Sequence, residues 1–200
     1  MAKTSYKKPD YYARKAKAEG YAARSVFKLE NIDKKHRLFH KGLKVLDLGA
    51  APGSWMQYTA AKVGKSGKVV GVDINPLSRG LSLRETFLQG DVLAMEPEEL
   101  KDEFGVFDLV LSDLAPKTTG HKDTDHFRSV QLAFRALCFA EALLRPGGSL
   151  LVKVFQGQEF EELVKTLRTR FQKVITLKPE GSRPESREMF ILGQAIKSSE

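Results

Sequence analysis

A chain of 200 residues with 42% apolar side chains is one domain with enough material for a full core. Its single cysteine, Cys138, excludes an internal disulfide or a cysteine metal cluster and points to a reducing, cytoplasmic setting. The opening segment lacks the apolar core of a signal peptide, no stretch is long and apolar enough to span a bilayer, and the net charge of +8 suits an anionic partner.

The charge is concentrated at the start. Residues 1–28 carry Lys3, Lys7, Lys8, Arg14, Lys15, Lys17, Arg24 and Lys28 against Asp10 and Glu19, a net +6 that leaves +2 for the rest. The same stretch holds four of the five tyrosines, Tyr6, Tyr11, Tyr12 and Tyr21. Cations neutralise phosphates, and aromatic rings stack on unpaired bases. A solvated basic tail whose tyrosines pack on the body fits the same composition. Residues 1–21 are read as a basic arm on a single domain spanning 1–200.

From Ala22 to about His36 the pattern predicts a helix, with Val26, Leu29 and Ile32 on one face. LKVLDLG (43–49) is a short apolar run ending in Asp and Gly, as a buried parallel strand does. A helix follows over 54–63, then strands at 68–74 and 85–91 and a short helix at 96–103. FDLVLSD (107–113) is a strand, 125–144 a long helix, RPGG (145–148) a turn and SLLVKVF (149–155) a strand. A helix over 159–170 precedes strands near 173–178 and 188–195. This alternation predicts an α/β, Rossmann-like fold: a mostly parallel seven-stranded sheet with helices on both faces. Ligands in such sheets sit at the carboxyl ends of the strands. The residues there are Asp47, Asp73, Asp91, Asp113 and Lys153. A series of acids suits a ligand rich in hydroxyls and amines.

DLGAAPGSW (47–55) is a tight turn into a helix, and its small residues let a ligand lie against bare backbone. Ordinary glycine-rich turns look the same. The loop is neither G-x-G-x-x-G nor a P-loop, which favours a ligand without phosphates. Asp73, ending the second strand, is placed to accept from both ribose hydroxyls, as also happens in dinucleotide enzymes. Asp91 could accept from an adenine amine. Ribose, adenine and a zwitterionic tail together describe S-adenosylmethionine. No metal is implied: His36, His40, His121 and His126 lack ligand spacing and read as surface loop residues. Cys138 reads as core in the long helix.

SDLAPK (112–117) follows the fourth strand, with Pro116 stiffening the loop that carries Asp113. Lys153 lies within an otherwise apolar strand, which requires either snorkelling at the strand end or a functional role.

DLGAAPGSW, SDLAP, VKVFQG (152–157), KPEGSRPESRE (178–188) and RSVFKL (24–29) together resemble the FtsJ-like family of large-subunit ribosomal RNA 2′-O-methyltransferases. The likeness runs in order over nearly the whole chain. It implies a Lys-Asp-Lys-Glu tetrad on Lys28, Asp113, Lys153 and Glu188. It also implies cofactor contacts at Gly53, Trp55, Asp73, Asp91 and Asp113, beside Asp47, Gly49 and Pro52 of the same loop. Phe190 stands where some members have tyrosine.

Methyl transfer to a ribose hydroxyl needs the oxygen in line with the methyl–sulfur bond, and positioning alone can supply on the order of 7–11 kcal/mol at best. The resemblance implies Lys153 as base, which requires it to be neutral. Burial and Lys28 act toward that state, Asp113 and Glu188 against it. Charged lysines stabilising a developing oxyanion is the other role open to them. Ser182–Ser186 and Arg187 are candidates for RNA backbone contact, or a plain polar loop.

The resemblance implies a monomer acting on a uridine in the A-loop of 23S-type ribosomal RNA, within the assembled large subunit. Three rivals remain: the same chemistry on transfer RNA, a non-catalytic RNA-binding assembly factor, and a nicotinamide dehydrogenase.

Overall fold

The computed structural model describes residues 11–179 and 186–198. Its elements run α1 (Tyr11–Ala18), α2 (Val26–His36), β1 (Lys44–Leu48), α3 (Ser54–Val63), β2 (Lys68–Asp73), β3 (Glu85–Gln89) and α4 (Pro97–Phe104). They continue with β4 (Phe107–Ser112), α5 (Lys122–Leu143), β5 (Leu144–Phe155), α6 (Phe160–Arg170), β6 (Phe171–Leu177) and β7 (Glu188–Ile196).

The seven strands form one sheet in the order β3-β2-β1-β4-β5-β7-β6. The pairs among β1 to β5 are parallel, whereas β7 runs antiparallel to both β5 and β6. This is the expected mostly parallel α/β architecture. The sheet separates two cores. On one face Leu46, Val70, Val110 and Leu150 pack under α4, α5 and α6. On the other, Val45, Val69, Leu109 and Leu151 pack under α1, α2 and α3. Side chains of a strand alternate between faces, so adjacent residues such as Val45 and Leu46 belong to different cores.

Several local expectations change. Residues 11–18, read as arm, form α1, and Tyr12 and Tyr21 pack their rings 5.6 and 6.2 Å from Phe27. Tyr11 is exposed; Tyr6 lies outside the described residues. The first predicted helix begins at Val26 instead of Ala22. RPGG is not a free turn. It runs within β5 as an irregularity opposite β4, with Gly147 at φ +80 and Arg145 paired to Asp108. Cys138 is exposed, because the buried stripe of α5 runs through Leu137, Phe139 and Ala140 and leaves Cys138 facing outward. His126 is not on a surface loop: it lies in α5 and is buried. No helix among the described residues is long and apolar enough to cross a membrane.

Candidate active site

The strand order reverses direction between β1 and β4, the place where ligands sit in sheets of this kind. A cavity of about 240 Å³ opens at this point, lined by Gly49, Asp73, Asp91 and Asp113 among others. Gly49 has φ +82, and a Cβ on it would come within 2.9 Å of the Leu114 amide nitrogen. Only glycine lets the β1 loop lie this close to the β4 loop.

Asp73 is held in place by its own surroundings. One carboxylate oxygen accepts from the Ala51 amide at 2.9 Å, and the other from the Asn75 amide and side chain at 2.8 and 3.1 Å. It therefore ties the glycine loop to β2 while facing the cavity. Asp91 accepts from the Leu93 amide at 2.9 Å. Ile74 and Leu93, 62% and 58% exposed, stand on the same cavity wall and leave apolar surface for a flat ring. Nothing in the strand-end acids pointed to these two, although each follows one of them by a residue or two.

The other candidates of the loop lie outside that cavity. Asp47 is fully buried, and neither carboxylate oxygen has a hydrogen-bond partner. Burial above all, with the charges of Asp113 and Asp73, pushes its carboxyl well above the ordinary range. Trp55 is buried, stacks on Phe190 at 5.9 Å, and donates its indole N–H to the Ser25 carbonyl at 3.0 Å. It joins α3 to the turn before α2. Pro52 and Gly53 hold the outer side of the loop. The Pro52 carbonyl accepts from the Ser78 amide at 3.2 Å, and the Gly53 carbonyl from Arg79 Nε at 2.9 Å.

Beside the cavity, the structure brings all four tetrad candidates together. Lys153 Nζ donates to the Asp113 carbonyl at 2.6 Å and to its Oδ1 at 2.8 Å. Lys28 Nζ donates to both oxygens of Glu188, at 2.7 and 2.6 Å. Glu188 Oε1 lies 3.9 Å from Lys153 Nζ, which joins the two pairs into one chain. Lys28 and Lys153 are only 9% and 6% exposed, so neither is a solvated surface lysine. Burial is the largest influence on Glu188 and pushes its carboxyl up. The charge and hydrogen bonds of Lys28, with the charge of Lys153, outweigh it and hold the carboxyl below the ordinary range. Two basic and two acidic side chains in contact compensate one another, which is what allows four ionisable groups to share a largely buried site.

The placement follows from topology. Asp113 comes directly after β4, and its amide donates to the Leu48 carbonyl at 3.0 Å. Lys153 sits near the end of β5, and Glu188 opens β7, paired in register with Phe155. Lys28, in the first turns of α2, reaches over from the helix layer. Of the RNA-contact candidates, residues 182–185 lie outside the described residues. Arg187 donates to the Lys122 carbonyl at 3.2 Å and to the Gln156 carbonyl at 2.6 Å. Among the described residues no group of His, Cys, Asp or Glu is arranged to hold a metal ion.

Known proteins resemble this chain over most of its length. Residues 21–196 match the model of the FtsJ-like methyltransferase family. The chain is 45% identical to a ribosomal RNA large subunit methyltransferase E of Sorangium cellulosum, over 98% of this chain and 92% of that one. It is 48% identical to the protein of the same name in Oleidesulfovibrio alaskensis, over 94% and 92%. A Plasmodium falciparum protein, whose crystal structure is described as that of a ribosomal RNA methyltransferase, superposes with a TM-score of 0.79. The two share 29% identity over 90% of this chain and 100% of that one. A family model matched over residues 21–196, with relatives 45% and 48% identical over nearly the whole chain, shows that the chain belongs to the FtsJ-like methyltransferases.

Proposed function

We propose that this chain methylates the 2′-hydroxyl of a uridine in large-subunit ribosomal RNA, in the A-loop of the assembled subunit, in the cytoplasm and as a monomer. The observation that carries the reading is the buried chain Lys28–Glu188–Lys153–Asp113 beside the Gly49 cavity. The names of the relatives support the RNA class.

S-adenosylmethionine, the methyl donor in this reading, supplies a methyl group activated on a sulfonium. The residues present suit it. Asp73 and Asp91 offer carboxylates to hydroxyls and amines, Ile74 and Leu93 offer apolar faces, and Gly49 leaves room beside the backbone. Held there, the donor would give its methyl group to the ribose oxygen and depart as the thioether, with the hydroxyl proton passing to water. Asp113 and Glu188 orient the two lysines toward that oxygen.

For Lys153 one observation favours the electrostatic role over the base role. Two carboxylates stand beside its Nζ, Asp113 at 2.8 Å and Glu188 at 3.9 Å, and two neighbouring negative charges support an ammonium in the resting enzyme. A pH–rate profile lost in Lys153→Arg would restore the base role; a profile unchanged by it supports the oxyanion role.

RNA would approach over the basic face. Between α1, the Gly20–Arg24 turn and α3 lies a cleft of about 520 Å³ that includes Lys17, Arg24 and Arg79. Its charge complements a phosphate backbone and adjoins the loop at Gly53.

The deciding experiment offers labelled S-adenosylmethionine with unmodified large subunits, free ribosomal RNA and transfer RNA, with Lys153→Ala as control. Label on the subunit at one alkali-resistant nucleotide, absent with the variant, supports the full reading. Label on transfer RNA alone replaces the substrate, and no label on any RNA despite cofactor binding removes the catalytic reading.

A further inference from the structure

β5 outruns its parallel neighbour. β4 ends at Ser112, in register with Val152, while β5 continues through Lys153 and Val154 to Phe155. Phe155 faces Glu188 across β7, and the ladder there runs from the Gln156 amide to the Arg187 carbonyl at 2.8 Å. In an antiparallel pair of this kind the Phe155 N–H and C=O point away from β7. They point to the side where β4 has already stopped. Unpaired backbone groups in a buried position are costly.

α5 supplies both partners. Ser129 Oγ accepts from the Phe155 amide at 3.0 Å, while its own proton goes to the His126 carbonyl at 2.7 Å. His126 Nδ1 lies 2.8 Å from the Phe155 carbonyl. A carbonyl only accepts, so Nδ1 carries a proton. That holds in either charge state. A neutral ring accepts the Glu159 amide at Nε2, 3.1 Å away. A protonated ring donates Nε2–H to the Glu159 carboxylate at 2.6 Å. His126 is 3% exposed, and its ring packs so closely on Gly157 that a Cβ there would stand 2.4 Å from the ring.

We propose that His126, with Ser129, is a positioning residue for methyl transfer: it replaces the missing strand beside Phe155 and so fixes the strand end that carries Lys153 and is paired with Glu188. The side chain does not line the cavity at Gly49 and acts through the backbone of β5. The proposal rests on the tetrad reading above. It also accounts for Gly157, whose lack of a side chain admits the ring.

Three variants test it in the full-length enzyme on its RNA substrate: His126→Leu, His126→Asn and Ser129→Ala. Asparagine can return an N–H near the Nδ1 position, and leucine cannot. His126→Leu is expected to lower kcat by about tenfold or more, with the KM for S-adenosylmethionine within about twofold of wild type. His126→Asn is expected to recover most of that loss. Ser129→Ala, which removes one oxygen, is expected to lower kcat by roughly threefold to tenfold by the same route.

Wild-type kcat in both Ser129→Ala and His126→Leu overturns the proposal, as does equal loss of kcat in the leucine and asparagine variants. Should His126→Leu not fold, Ser129→Ala decides alone. Lys153→Ala is run in parallel. If wild type itself transfers no methyl group, the tetrad reading has failed. If Lys153→Ala is dead while Ser129→Ala and His126→Leu run at full rate, only the positioning role has failed.

Discussion

Lys28 and Glu188, 160 positions apart, close on each other with both carboxylate oxygens 2.7 and 2.6 Å from the ammonium. Their side chains are 11% and 14% exposed, so each is the other's main compensation. Removing Glu188 leaves the buried Lys28 without that carboxylate, and removing Lys28 leaves Glu188 the longer contact to Lys153 at 3.9 Å. Lys28→Met and Glu188→Gln are therefore expected to cost roughly 3 kcal/mol each, and the double variant less than their sum. Denaturant midpoints of the four proteins form the cycle; strict additivity would show that the pair is not coupled.

The same pair sets an acid limit. Folding lowers the Glu188 carboxyl below its ordinary range. A carboxyl lowered by folding adds stability above its unfolded pKa, about 4.3, and loses it as pH falls through the folded value. Wild type is expected to lose stability across that acid window more steeply than Glu188→Gln. Parallel acid limbs in thermal melts of the two would contradict this.

At Gly49 a side chain meets backbone. The φ of +82 and a Cβ-to-amide distance of 2.9 Å at Leu114 leave nothing flexible to give way. Gly49→Ala is expected to cost about 1–3 kcal/mol of stability. It should also weaken S-adenosylmethionine binding by about tenfold or more, since the loops that frame the cavity must part. Calorimetric titration checks it; unchanged affinity would mean that the loop spacing does not shape the site.

Much of this arrangement is legible in the sequence, and what is not has physical reasons. β1, β2 and β4 are short apolar runs closed by Asp or Gly, a pattern that needs no tertiary information. The direction of β7 does need it, because side-chain alternation is the same in parallel and antiparallel strands. The β5 bulge at RPGG was hidden for a related cause: the bend is held by Arg145 and Asp108 from another strand. Asp113 and Lys153 stand out as polar groups at strand ends, whereas Lys28 on α2 has no local mark and emerged from the resemblance. His126 had no signal at all. Its role depends on a carbonyl at the end of a strand 29 residues away, left unpaired only because β4 is shorter.

Asp47 gives a pH dependence of the opposite sign. It is fully buried with both oxygens unpartnered, and its carboxyl is raised well above the ordinary range, by burial first and then by Asp113 and Asp73. A carboxyl raised by folding contributes fully below its unfolded pKa, about 3.9, and loses that contribution as pH rises through the folded value. Relative to wild type, Asp47→Asn should gain stability as pH rises from the unfolded value of about 3.9 toward the raised folded value, because the amide never has to ionise. Urea midpoints over that range read the difference. A gap independent of pH would mean that Asp47 does not titrate there.

The basic cleft makes a prediction about RNA that leaves the chemistry untouched. Lys17, Arg24 and Arg79 lie together where α1 meets the loop at Gly53, but Arg79 also bonds the Gly53 carbonyl and pairs with Glu85. It helps hold the loop at Gly53, so it is kept, and Lys17 and Arg24 are substituted. Deleting one phosphate-neutralising cation reduces the slope of log affinity against log salt by about 0.7–0.9. Lys17→Ala with Arg24→Ala is expected to raise the KM for RNA several-fold at physiological salt and flatten that slope, while S-adenosylmethionine affinity stays unchanged. Tryptophan fluorescence reads the cofactor, and filter binding at several salt concentrations reads the RNA. A double variant with a wild-type salt slope would place the RNA path elsewhere on the molecule.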